Sequence, residues 1–124
     1  MGIIKTCDFV PYHSGKEGET RKEQLVDFRR VFSQIDPDIP LICVCGNHDV
    51  GDIPTKETVR IYREQFGQDY FVFWAGGVRF VVLNSQYYMN ADDVNDELEK
   101  QNAMIDSLVL NCIPTSKTRA WVIT

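Results

Sequence analysis

Apolar and polar residues recur along this chain with two different periods, and each change of period marks a new element. Leu25, Phe28, Phe32 and Ile35 fall at helical spacing, with Lys22, Glu23, Asp27 and Arg30 on the opposite face, so residues 19–35 predict an amphipathic helix. Asp36-Pro37-Asp38 ends it, because the residue before a proline is pushed out of the α region. Pro40-Leu41-Ile42-Cys43-Val44-Cys45 is apolar without alternation, the pattern of a central parallel strand covered on both faces. Thr55 caps a second helix, and Thr58, third in line, stands where a full capping box has an acidic residue. Val59, Tyr62 and Phe66 face inward on that helix, and Gly67 ends it.

Residues 70–74 and 78–83 are β-rich runs around Ala75-Gly76-Gly77 and read as a hairpin. Residues 84–92 read as a polar loop in which Tyr87, Tyr88 and Met89 either line a substrate groove or pack over the hairpin. Val94, Leu98, Ile105, Leu108 and Cys112 mark a third helix over residues 92–110, whose acidic start complements the helix dipole. Residues 3–10 and 118–124 read as strands, and residues 11–18 as a loop. Trp74 and Trp121 read as core aromatics. The order is strand, helix, strand, helix, hairpin, helix, strand. That alternation predicts an α/β fold, a central mixed β-sheet flanked by helices.

The 124 residues suit one domain or part of one, and a composition 44% hydrophobic and 25% charged is ordinary for a packed core. A net charge of -5 lacks the basic footprint of a nucleic-acid binder. No apolar run reaches membrane-spanning length. No Cys-x-x-Cys pair, glycosylation sequon or secretory leader is present, which predicts a cytoplasmic protein with Cys43 and Cys45 as core thiols. Met1-Gly2-Ile3-Ile4-Lys5-Thr6 fits the loose acylation pattern, and Ile3-Ile4 equally opens a strand. No pattern specifies an oligomeric state. Both ends fall abruptly, the last inside an apolar run, so residues 1–124 read as a single partial domain truncated at both ends.

Candidate chemistry concentrates in Cys45-Gly46-Asn47-His48-Asp49, where the apolar strand stops at a glycine. An amide oxygen binds a hard divalent cation, an imidazole holds or delivers a proton, and an adjacent carboxylate fixes the imidazole's tautomer. A metal-dependent hydrolase needs those parts at the carboxyl end of a strand.

Gly46-Asn47-His48-Asp49 after a buried strand resembles the third signature block of the calcineurin-like metallophosphoesterases. Ile39-Pro40-Leu41, Pro54-Thr55, Asp69-Tyr70-Phe71, Gly76-Gly77-Val78 and Leu83-Asn84-Ser85-Gln86 carry the resemblance over most of residues 20–124. The resemblance implies a β-sandwich of two mixed sheets flanked by helices, of which this chain is an incomplete part. It implies two divalent metal ions (Mn, Fe, Zn or Mg), with Asn47 binding one ion and Asp8 bridging both. His48 would stabilise the transition state or protonate the leaving oxygen, and Asp49 would orient His48. The implied activity is that of a protein serine/threonine phosphatase, hydrolysing the phosphate monoesters of a phosphorylated protein or a small ester.

The departures limit that expectation. Cys7 stands before Asp8 where the family has glycine, and the Asp-x-His, lone-His and Gly-His-x-His blocks are missing. The chain has 2 histidines, His48 and the loop residue His13, which reads as solvated or as a ligand. Metal binding by these residues alone is expected to be weak or absent, with little catalysis. The alternatives are a short non-catalytic module that binds the partners of the full-length enzyme, or an unrelated α/β binding domain with the same turn.

Overall fold

The computed structural model of the chain describes residues 3–6, 19–111 and 120–123. Its elements run β1 (Ile3–Thr6), α1 (Glu19–Phe32), β2 (Leu41–Val44), α2 (Asn47–Val50), α3 (Lys56–Phe66), β3 (Phe71–Ala75), β4 (Val78–Val82), α4 (Gln86–Met89), α5 (Asn95–Leu110) and β5 (Ala120–Ile123). The mixed α/β class predicted from the sequence is the class observed. The strands divide between two sheets where the sequence predicts one. β1 and β2 pair in parallel from Ile3 opposite Leu41 to Thr6 opposite Val44. β3 and β4 form the antiparallel hairpin, and β5 joins the far side of β4 in parallel. The hairpin takes its third strand from late in the chain, so β2 is not drawn into that sheet.

Local chemistry explains most element ends. At α3 the Thr58 amide donates to Thr55 Oγ1 at 3.1 Å, and the Thr55 amide donates to Thr58 Oγ1 at 3.0 Å. The box is therefore complete, correcting the sequence reading, because a threonine hydroxyl accepts as well as a carboxylate. Gly67, at φ 97°, ends α3 in a backbone region that L side chains disfavour. Gly76 and Gly77 both take positive φ, which lets a two-residue turn match the twist of the strands it joins. α1 stops at Phe32, before the proline, and Asp36 receives the Asp38 amide in the turn that follows. The loop predicted for residues 84–92 contains the single turn α4, and α5 starts later than residue 92.

The core gathers between the helices and the carboxyl ends of β2 and β4. Cys45, Val50, Val59, Tyr62, Tyr87 and Val94 are buried together, with Phe66, Tyr70, Ala91 and Leu98 packed around them. Phe28 meets Phe66 edge-on at 5.4 Å, so the apolar stripe of α1 closes over α3. Of β2 only Val44 is fully buried; Leu41, Ile42 and Cys43 are half-buried, so among the described residues the strand is less covered than its composition predicts. Trp74 corrects another expectation. It is 57% exposed beside the hairpin tip, and its cross-strand partner Arg79 lies over its ring at 4.8 Å. Phe73 takes the other face and stacks on Phe80. The side chain of Trp121 lies outside the described residues.

Candidate functional site

β2 ends at Val44, and within three residues the chain enters the one-turn helix α2, which consists of Asn47, His48, Asp49 and Val50. Gly46 is extended, and its amide donates to Asp49 Oδ2 at 2.9 Å. Asp49 is fully buried. Its carboxylate thus closes the turn on itself, and the Asp49 amide returns a bond to the Gly46 carbonyl at 3.0 Å. Val50 is fully buried in the core, and the Thr58 hydroxyl donates to its carbonyl at 2.6 Å. Two buried anchors, one a carboxylate and one a valine, hold the turn from behind. Asn47 and His48 precede them, half-exposed, at the carboxyl end of the parallel strand pair.

Asn47 is oriented by a residue the sequence reading passed over. Its side-chain nitrogen donates to Asp52 Oδ1 at 2.7 Å. Gly51, at φ 91°, turns the chain so that Asp52 comes back over Asn47. With its nitrogen engaged, the amide keeps its oxygen as the acceptor end. The sequence signal was present: a glycine followed by an aspartate directly after a one-turn segment.

A second polar cluster lies in the core next to the turn. Asp69 is fully buried and accepts from Arg63 Nε at 2.6 Å, Tyr87 Oη at 2.5 Å and Asn84 Nδ2 at 2.9 Å. Arg63 also pairs with Glu97, and Gln101 bonds both backbone groups of Asn84. α3, α4 and the segment after β4 meet at one carboxylate, and α5 joins them through Glu97 and Gln101. The Cys45 thiol faces the Asp69 carbonyl at 3.9 Å. Burial pushes that thiol far above its ordinary range, and the negative charge of Asp69 and Asp49 pushes it further, so it is a neutral core group and no nucleophile. Burial and Asp69 likewise raise the Tyr87 phenol, which keeps its proton for the hydrogen bond. These groups act in packing. So do those of the cleft of about 370 Å³ between α3 and α5, where Lys56, Arg60 and Arg63 are already paired with Asp96, Glu64 and Glu97.

Of the predicted site residues, the structure brings Asn47, His48 and Asp49 together in one turn. Asp8 and His13 lie outside the described residues. Asn47 fits a hard divalent cation as a single oxygen donor. Among the described residues no group of three or more His, Cys, Asp or Glu side chains converges in a metal-binding arrangement.

The strand, the glycine stop and the Asn-His-Asp turn are the features that resemble the calcineurin-like phosphoesterases, and comparison with known proteins finds similarity to a protein of that class. The particular protein it is similar to is calcineurin-like phosphoesterase domain-containing protein 1. The chain is 55% identical over 71 residues to serine/threonine-protein phosphatase CPPED1 of Bos taurus, covering 57% of this chain and 23% of that protein. It is 46% identical over 86 residues to the Homo sapiens protein of the same name, 69% of this chain and 27% of that one. Against the Danio rerio protein it is 36% identical over 120 residues, 97% of this chain and 38% of the relative. The chain thus spans well under half the length of these curated relatives. No family model and no solved structure matches it. Among the described residues no helix is long and apolar enough to cross a membrane.

Proposed function

We propose that this chain is part of a metal-dependent phosphoesterase of the protein serine/threonine phosphatase kind, acting on phosphate monoesters, and that the Asn47-His48-Asp49 turn is its contribution to a dinuclear metal site. The observation that carries the proposal is the anchoring of that turn at the end of β2, with the Asn47 amide held at 2.7 Å by Asp52. The name of these relatives, serine/threonine-protein phosphatase, points to the same chemistry.

In this reading Asn47, through its amide oxygen, and Asp8, through its carboxylate, would help to hold the metal ions. Divalent Mn, Fe, Zn or Mg would supply charge to offset that of the phosphate. His48 hydrogen-bonds or protonates the leaving oxygen, and buried Asp49 keeps the backbone that carries His48 from shifting. The two sheets are parts of a two-sheet β-sandwich, and residues 1–124 form one partial domain. The free Cys45 thiol suits a reducing, cytoplasmic setting. The chain's 2 histidines are too few for the family's remaining metal blocks, so these 124 residues alone turn over little substrate.

The test is hydrolysis of p-nitrophenyl phosphate and of a phosphoserine peptide, with Mn²⁺, by this chain and by an extended chain carrying the missing blocks. The extended chain is expected to be active and the 124-residue chain near background. His48→Ala in the extended chain should lower kcat by about 10²–10⁴-fold. An inactive extended chain, or an unchanged kcat in the His48 variant, would overturn the proposal.

A further inference from the structure

Asp52 is an exposed carboxylate with a specific task in the fold: it accepts from the Asn47 side-chain nitrogen at 2.7 Å. Three features of the chain bring it there. The Gly51 amide donates to the Asn47 carbonyl at 2.6 Å and closes α2. Gly51 then takes φ 91°, which reverses the backbone. An added Cβ at Gly51 would meet the Ile53 carbonyl oxygen at 3.3 Å, so the reversal is tight as well as left-handed. The bend places the Asp52 carboxylate against one edge of the Asn47 amide.

A primary amide has two nearly isosteric ends, and only one of them suits a cation. With the nitrogen facing out, its protons would repel a divalent ion; with the oxygen out, the same side chain is a ligand. A carboxylate accepts and cannot donate, so it selects the nitrogen edge and leaves the oxygen outward. We infer that Asp52 is a positioning residue: it fixes the Asn47 amide with its oxygen presented to a divalent cation. This rests on the reading of Asn47 as a metal donor and adds to it the group that sets the donor's orientation. Partners of this kind behind a metal ligand typically change affinity by about 10–100-fold when removed. For an exposed carboxylate the lower end, about tenfold, is expected.

The experiment uses the ¹⁵N-labelled chain, with Asp52→Ala and Asp52→Asn beside it. Two readouts are taken: the Asn47 side-chain NH₂ signals, and Mn²⁺-induced broadening of resonances in the Gly46–Gly51 turn during a titration into the millimolar range. Asp52→Ala should shift the Asn47 NH₂ signals toward free-amide positions and weaken apparent Mn²⁺ binding about tenfold, without lowering Tm. Asp52→Asn can donate as well as accept, so it no longer selects the nitrogen edge and should lose part of both. Full retention of both readouts in Asp52→Asn would overturn the inference, since a group able to donate would then serve as well as one that only accepts. Unchanged Mn²⁺ broadening in Asp52→Ala would overturn it too, leaving the metal-donor reading of Asn47 intact. If the unaltered turn shows no Mn²⁺ broadening at all, the donor reading fails and the inference falls with it.

Discussion

Tyr87→Phe tests whether the buried Asp69 cluster holds the helices together. The substitution keeps the ring, so packing is nearly unchanged, and deletes one hydroxyl that donates at 2.5 Å to a fully buried carboxylate. Hydrogen bonds to charged groups contribute about 1.5–3 kcal/mol net, and the Asp69 carboxylate would keep only Arg63 and Asn84 as donors. A loss of about 2 kcal/mol follows. For a chain of this length that lowers Tm by roughly 6–10 °C. The midpoint in urea should fall by about 1 M. Far-UV circular dichroism during urea titration at neutral pH measures it. Tyr62→Phe is the matched control. Tyr62 is equally buried in the same core, but its hydroxyl has no partner among the described residues. Its removal should leave stability unchanged or raise it by up to about 1 kcal/mol. A Tyr87→Phe loss below about 0.5 kcal/mol, or an equal loss in Tyr62→Phe, would refute the assignment of stability to the carboxylate cluster.

Thr58→Val leaves the bond from the residue 58 amide to Thr55 Oγ1 but deletes the hydroxyl that accepts from the Thr55 amide and donates to the Val50 carbonyl, and should lower stability by about 1–2 kcal/mol in the same titration. Gly51→Ala forces a Cβ into a left-handed bend beside the Ile53 carbonyl, with an expected loss of about 1–2 kcal/mol and disturbed Asn47 side-chain signals in the ¹⁵N spectrum. Burial pushes the Glu97 carboxyl up, but hydrogen bonds from Lys100 and Arg63 outweigh it and hold it below its ordinary value of 4.5. The stability it contributes is therefore present above pH 4.5 and lost as pH falls through the lower folded value, so the advantage of the natural chain over Glu97→Gln should shrink in acid denaturation below that pH.

Much of this molecule is legible from spacing. The stripe Leu25, Phe28 and Phe32, the inward Val59 and Tyr62, the Gly67 stop and the Gly76-Gly77 hairpin all lie where local periodicity and turn chemistry put them. The Asn47-His48-Asp49 turn was also found from one strand and one glycine. Trp74 was misplaced because hydrophobicity favours burial but does not say how far a hairpin reaches beyond its core. Gln101, buried within a helix otherwise marked by apolar positions, had no local signal; it is explained only by the unpaired backbone of Asn84, which it satisfies from 17 residues away.

The sequence by itself determined the elements, their order and the residue types of the turn, because helical and strand periods, caps and glycine conformations depend on neighbours a few positions apart. Only the tertiary structure decided that the strands divide into two sheets, that Asp69 carries the polar core and that Asp52 takes the nitrogen of Asn47. Those outcomes depend on which backbone bends back toward which side chain. That choice is made when the whole chain buries its polar groups at once, and no short window of residues contains it.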